Sequence, residues 1–94
     1  MIDRELLEAA YAAYRPGENY TRLVNDAGSD YWNPLTDDGD ALRLAVRLRM
    51  NVDWESADCV WCDNEGETVE GDDPYAATRR AIVRAAAEIG RSKT

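Results

Sequence analysis

Cys59 and Cys62 form a C-x-x-C pair, CVWC, the most chemically suggestive spacing in the chain. As half of a tetrahedral zinc site it needs two more Cys or His ligands, and the sequence holds no third cysteine and no histidine. Only a site shared between two chains would complete it. As a redox pair it would have to open a helix, where the dipole lowers the thiol pKa. The flanking residues instead alternate like a strand, on which side chains three apart point to opposite faces. Both cysteines are therefore expected to be structural, and no metal or other cofactor is assigned.

The lack of histidine removes the usual general base near neutral pH and the commonest metal ligand. Neither a Cys-His nor a Ser-His-Asp arrangement can be built within the chain. No glycine-rich phosphate loop of either familiar pattern occurs. The stretch WNPLTDDGDALRLAV, Trp32 to Val46, places three aspartates and a glycine ahead of aliphatic residues. A calcium loop of the EF-hand type would need oxygen ligands where Leu42, Leu44 and Val46 stand. Paired carboxylates could serve glycoside chemistry, but among 19 acids some pair always lies at a suitable spacing. No catalytic residue is assigned, and the chain is read as a non-enzyme.

Charge is unevenly distributed. From Met50 to Thr78 there are nine acids and no lysine or arginine, while the rest of the chain carries ten acids against eleven bases. The net charge of −8 thus belongs to one arm. Phosphate contacts need a basic surface, so direct nucleic-acid binding is not expected. The acidic arm serves either solubility or a basic partner. If it binds, the candidates are Asp53, Glu55, Asp63, Glu65, Glu67 and Glu70, with Trp54 and Trp61 as aromatic anchors. Core packing is the default role of Trp32, Trp54 and Trp61.

The elements that must position these groups follow from periodicity. DRELLEAAYAAY reads as a helix, with Leu6, Leu7, Ala10, Tyr11 and Tyr14 on one face and Pro16-Gly17 as its end. NYTRLV reads as a strand, NDAGSD as a turn, and YWN as a short strand pairing back. Thr36 or Asp37 caps a second helix whose inner face is Ala41, Leu44, Ala45 and Leu48, with Asp40, Arg43 and Arg47 opposite. The three aspartates are explained as a helix start. MNVDWE, DCVWCD and ETVE are strands, joined between the last two by the turn NEG. Such short connections give antiparallel pairing.

The last helix has Asp73 as cap, Pro74 at its first position and Gly90 as its stop. Its stripe of Tyr75, Thr78, Ile82, Ala85 and Ile89 is expected against the sheet, leaving Arg79, Arg80 and Arg84 to meet the acidic arm or solvent. The fold class is α+β: three helices on a small antiparallel sheet, a single domain over residues 1–90 with a frayed tail at 91–94. No secretory leader or membrane-spanning run is seen, so a cytoplasmic location is expected.

WNPLTDDGDALRLAVRL and DPYAATRRAIVRAAAEIGR, preceded by DRELLEAA, resemble the signature segments of the phage ABA sandwich family, small proteins of tailed phages and prophages. The resemblance covers under half of the chain and leaves out Met50 to Asp72. It implies an α/β/α layered domain made in the cytoplasm of an infected bacterium. It brings no activity and no site residues, since the family's function is not established.

Two functions are therefore expected. One is an acidic module binding a basic host or phage protein, for example to inhibit a nucleic-acid-binding defence or regulatory factor. The other is a structural or accessory phage protein acting as a homo-oligomer through an apolar patch. The first needs the arm to present a coherent anionic surface; in the second the arm serves only solubility and an apolar patch forms the contact.

Overall fold

The computed structural model describes residues 3–15, 32–56, 59–69 and 73–92. Helix α1 (Asp3–Tyr14) is followed by α2 (Asp38–Leu48), then strands β1 (Val52–Ser56), β2 (Cys59–Cys62) and β3 (Glu65–Thr68), and last α3 (Pro74–Ser92). The class is α+β. The strands form one antiparallel sheet in the order β1-β2-β3. α3 packs on β2 and β3, and it also meets α1 and α2. The expected strand NYTRLV and turn NDAGSD lie outside the described residues. Trp32 and Asn33 are not in a strand, which corrects the reading of YWN.

That correction has a packing reason. Trp32 is buried between the two tyrosines of α1, edge-on to Tyr11 at 5.2 Å between centroids and stacked on Tyr14 at 5.4 Å. Arg47 of α2 completes the corner, donating to the Tyr14 carbonyl at 2.6 Å with its guanidinium 5.6 Å from the Tyr14 ring centre. Ring pairs of this geometry add about 1 kcal/mol beyond the area they bury. The residues after Trp32 then turn tightly: Asn33 accepts from Leu35 N–H on its side chain and from the Thr36 and Asp37 N–H groups on its carbonyl. Local turn bonding of this kind competes with a ladder and wins here.

α2 shows its expected inner face, with Ala41, Leu44 and Ala45 buried and Leu48 partly so. It ends at Arg49, whose left-handed φ of 54° lets its N–H reach back to the helix and turns the chain toward β1. The β2–β3 connection falls on Asp63-Asn64 rather than on NEG. Asp63 adopts a φ of 53°, and Glu65 and Gly66 already pair with Cys62 and Trp61. Aspartate and asparagine tolerate that region, so a two-residue turn forms one residue early.

α3 does not stop at Gly90; it runs to Ser92. Gly90 is buried against α1, and a methyl group placed there would lie 1.8 Å from the Ala9 carbonyl oxygen. Ala10 and Ala13 on α1, with Ala86 and Ala87 on α3, are also buried. The glycine is a contact point between two backbones, not a terminator. Tyr75 also departs from expectation, since it is exposed rather than covered by the sheet. Tyr75 lies with Leu42 of α2 and Trp54 of the edge strand β1 in an open groove, which leaves its ring to solvent. Gly90→Ala is expected to push α1 off α3 and cost about 3 kcal/mol, read as a lower urea midpoint than that of wild type; an unchanged midpoint would contradict the close contact.

Candidate functional site

The aspartates before α2 are all engaged. Asp37 caps the helix, its carboxylate accepting from the Asp40 N–H at 2.7 Å. Asp38 pairs with Arg79 of α3 at 2.7 Å, and Arg79 also donates to the Leu35 carbonyl. Asp40 does not join the solvent-facing row with Arg43 and Arg47; it is buried. Its two oxygens accept from the Asn33 N–H at 2.9 Å and from Arg43 at 2.7 Å. A buried carboxylate with both oxygens satisfied holds a turn in place. These residues build the fold and leave no free pair for proton transfer. Among the described residues, no group of three or more His, Cys, Asp or Glu side chains is placed to hold a metal ion.

The cysteines lie on opposite sides of β2, as their spacing requires. Cys62 is buried toward the helices, with its Sγ 3.5 Å from the Met50 sulfur. Burial, and secondarily the Asp63 carboxylate, push its thiol up to about 12. Cys59 is half-buried. Desolvation first, then the Glu55 carboxylate, raise its thiol too. Neither is an activated nucleophile, because both environments disfavour the thiolate.

Strand register sorts the acidic arm. Val52, Cys62 and Glu65 form one row across the sheet, and Trp54, Val60 and Glu67 another; both rows face the helices. Asp53, Trp61 and Gly66 form the row between them, on the opposite face. The described acids of the arm therefore do not share one anionic surface, and this corrects the expectation from sequence. Glu65 and Glu67 point under α3, where Arg84 pairs with Glu65 at 3.3 Å and more closely with Glu67. The basic side of α3 meets the acids within the molecule. Both glutamates are half-covered and share the one Arg84 guanidinium, which places them under α3 rather than on the outer face with Trp61. Asp63 sits in the hairpin turn and accepts from the Asn51 N–H at 3.0 Å. Glu70 lies outside the described residues.

Two surfaces remain. On the outer face Trp61 is 37% exposed, directly across from Asp53 on β1. Its indole lies on Gly66, where a methyl group would come within 3.0 Å of three ring carbons. Glu55, at the bulge between Trp54 and Ser56, adds its carboxylate beside Cys59. Among the described residues no arginine or lysine forms an ion pair with Asp53 or Glu55. On the other side, Trp54 is 43% exposed and joins α2 and the start of α3 in an apolar groove of about 530 Å³. Leu42 and Tyr75, at 63% and 67% exposure, form its rim. Neither Leu42 nor Tyr75 was a candidate binding residue from sequence, where Tyr75 is placed on the covered stripe of α3. The signal was the pair Leu42 and Val46, apolar residues four apart and off the buried stripe of α2.

The Cys62 environment carries a pH dependence. Its folded-state pKa stands above the ordinary thiol value of 9.0, so its contribution is complete below pH 9 and is lost as pH rises toward 12. Urea midpoints measured at pH 8 and pH 10.5 are expected to fall at the higher pH, and Cys62→Ala is expected to reduce that fall. An equal fall in the variant would remove Cys62 from the cause.

Among the described residues, no helix is long and apolar enough to cross a membrane. Comparison of the chain with protein-family models, curated proteins and solved structures finds no match, so the reading of its sites rests on their geometry.

Proposed function

We propose that the chain is a small acidic, non-catalytic protein-binding module that docks a basic protein surface onto the outer face of its sheet. The observation that carries this reading is Trp61, held on Gly66 in the middle of the sheet with Asp53 opposite it. An aromatic side chain already fixed in place loses little freedom on binding, and a flanking carboxylate selects cationic partners. Asp53 and Glu55 have no ion-pair partner among the described residues, so their charge is available to an incoming lysine or arginine. The net charge of −8 speeds encounter with such a partner and disfavours nucleic acid.

The resemblance to the phage ABA sandwich family supports a phage or prophage product acting in the cytoplasm of a bacterial host. The partner class that fits is a basic host protein, and a nucleic-acid-binding defence or regulatory factor is the example that best matches the charge. Occupying the basic site of such a factor would block its phosphate contacts. Homo-oligomerisation through the outer face is disfavoured, since it would bring the Asp53 and Glu55 carboxylates of two copies together.

The test is capture from bacterial host lysate on the tagged protein at low and moderate salt, repeated with Trp61→Ala and with Asp53→Asn combined with Glu55→Gln. A basic protein retained at low salt, held more weakly but still captured at about 0.15 M, where charges are screened beyond about 8 Å, and lost from both variants is the expected result. Capture that ignores all three substitutions, or no capture at either salt, would overturn the reading.

A further inference from the structure

We infer that the outer face of the sheet recognises arginine in particular: a partner's guanidinium lies flat on the open face of the Trp61 indole and directs its N–H groups to the Asp53 and Glu55 carboxylates of β1. Docking on the outer face, as proposed above, is the premise; the choice of arginine over lysine is what the ring adds.

The orientation of the ring follows from its contact with Gly66. A methyl group built on Gly66 would lie 3.0 Å from each of Cε2, Cζ2 and Cη2 of Trp61. A point equidistant from three successive atoms of a six-membered ring sits on the axis through the ring centre, so the benzene half of the indole lies face-on over Gly66. Its 37% exposure therefore belongs to its edges and to the opposite face. Among the described residues no ring or cation is stacked on that face. The pyrrole end is placed as well, because the indole N–H approaches the Cys59 sulfur, two residues back on the same face of β2. A platform fixed at both ends gives up little freedom on binding.

The acids stand beside this platform on β1. Asp53 is directly across from Trp61, where facing side chains start about 5 Å apart. Glu55 reaches Cys59, at the pyrrole end of the ring. Both acids are exposed, and neither has an ion-pair partner among the described residues. Arginine fits ring and acids at once. Its guanidinium is weakly hydrated and stacks on an aromatic face, while its N–H donors lie in its own plane and reach carboxylates at the ring's edge. A lysine ammonium is a compact, strongly hydrated charge with no flat face to lay on the indole, so it meets the carboxylates and gains little from the ring. A methylated lysine is held by a cage of aromatic rings, and the outer rows contribute Trp61 alone among the described residues. A neutral apolar side chain would strip water from two carboxylates and return no counter-charge.

The test titrates two glycine-serine peptides of equal length and charge, one carrying arginines and one lysines, into the full chain at about 0.05 M salt, where exposed charges still interact. Trp61 is followed by its indole N–H resonance, and the arginine by the upfield shift that a ring face imposes on its side-chain protons. The arginine peptide is expected to show that shift and to bind at least about fivefold more tightly than the lysine peptide. Trp61→Leu, which keeps apolar bulk and removes the ring, is expected to abolish the preference. Asp53→Asn combined with Glu55→Gln is expected to weaken both peptides, with circular dichroism checking that each variant is folded. Equal affinity for the two peptides, a preference that survives Trp61→Leu, or an undisturbed Trp61 resonance with the arginine peptide would overturn the inference. Equal affinity that still depends on Trp61 and the two acids would do so while leaving outer-face docking intact, and that docking fails separately if capture from lysate ignores these residues.

Discussion

α3 has to bury several of its sides at once, and the rest of the fold is arranged around that demand. α1 takes one side, β2 and β3 another, and α2 lies along its first half. Such a helix cannot carry large residues all round and still let its neighbours close in. Its sequence answers with alanine at 77, 81, 85, 86 and 87 and glycine at 90, all buried, and reserves Ile82 and Val83 as the larger apolar units. Small residues bring backbones together and so recover dispersion contacts that a 94-residue chain can otherwise obtain only from a larger core.

Electrostatics follow the same geometry. The sheet lies against a helix bearing Arg84, so the acids of its inner rows, Glu65 and Glu67, have a partner close by. The acid of the outer row, Asp53, has no such helix beside it among the described residues. One alternation of strand residues thus separates carboxylates that hold the fold together from those left for something else. At the other end, Asp38 and Arg79 tie α2 to α3, and Asp40 fastens the turn that carries Trp32. Much of the charge among the described residues is structural wiring. What that wiring leaves without an ion-pair partner among the described residues includes Asp53 and Glu55.

Much of this was legible in sequence, and the misreadings share a cause. Leu6, Leu7, Ala10, Tyr11 and Tyr14, the inner face of α2, the Asp37 cap and the antiparallel strands all follow from period and capping chemistry acting within one element. What failed depends on a second element. Gly90 reads as a terminator unless α1 is known to cross there. Asp40 falls on the polar side of a helical wheel, and only the folded-back 33–37 turn buries it. Glu65 and Glu67 face inward because the hairpin turns at Asp63-Asn64, and a shift of one residue would have exposed them instead. The groove was missed for the same reason: Leu42, Trp54 and Tyr75 come from three elements that only the tertiary fold brings together.

The irregularity at Glu55 has a consequence of another kind. Among the described residues β1 is an edge strand, a template on which a neighbouring molecule could extend the sheet. The extra residue between Trp54 and Ser56 breaks the even spacing of backbone donors and acceptors that such growth requires, and it sets an acidic side chain at the break. Both features oppose strand-by-strand growth of the sheet along this edge.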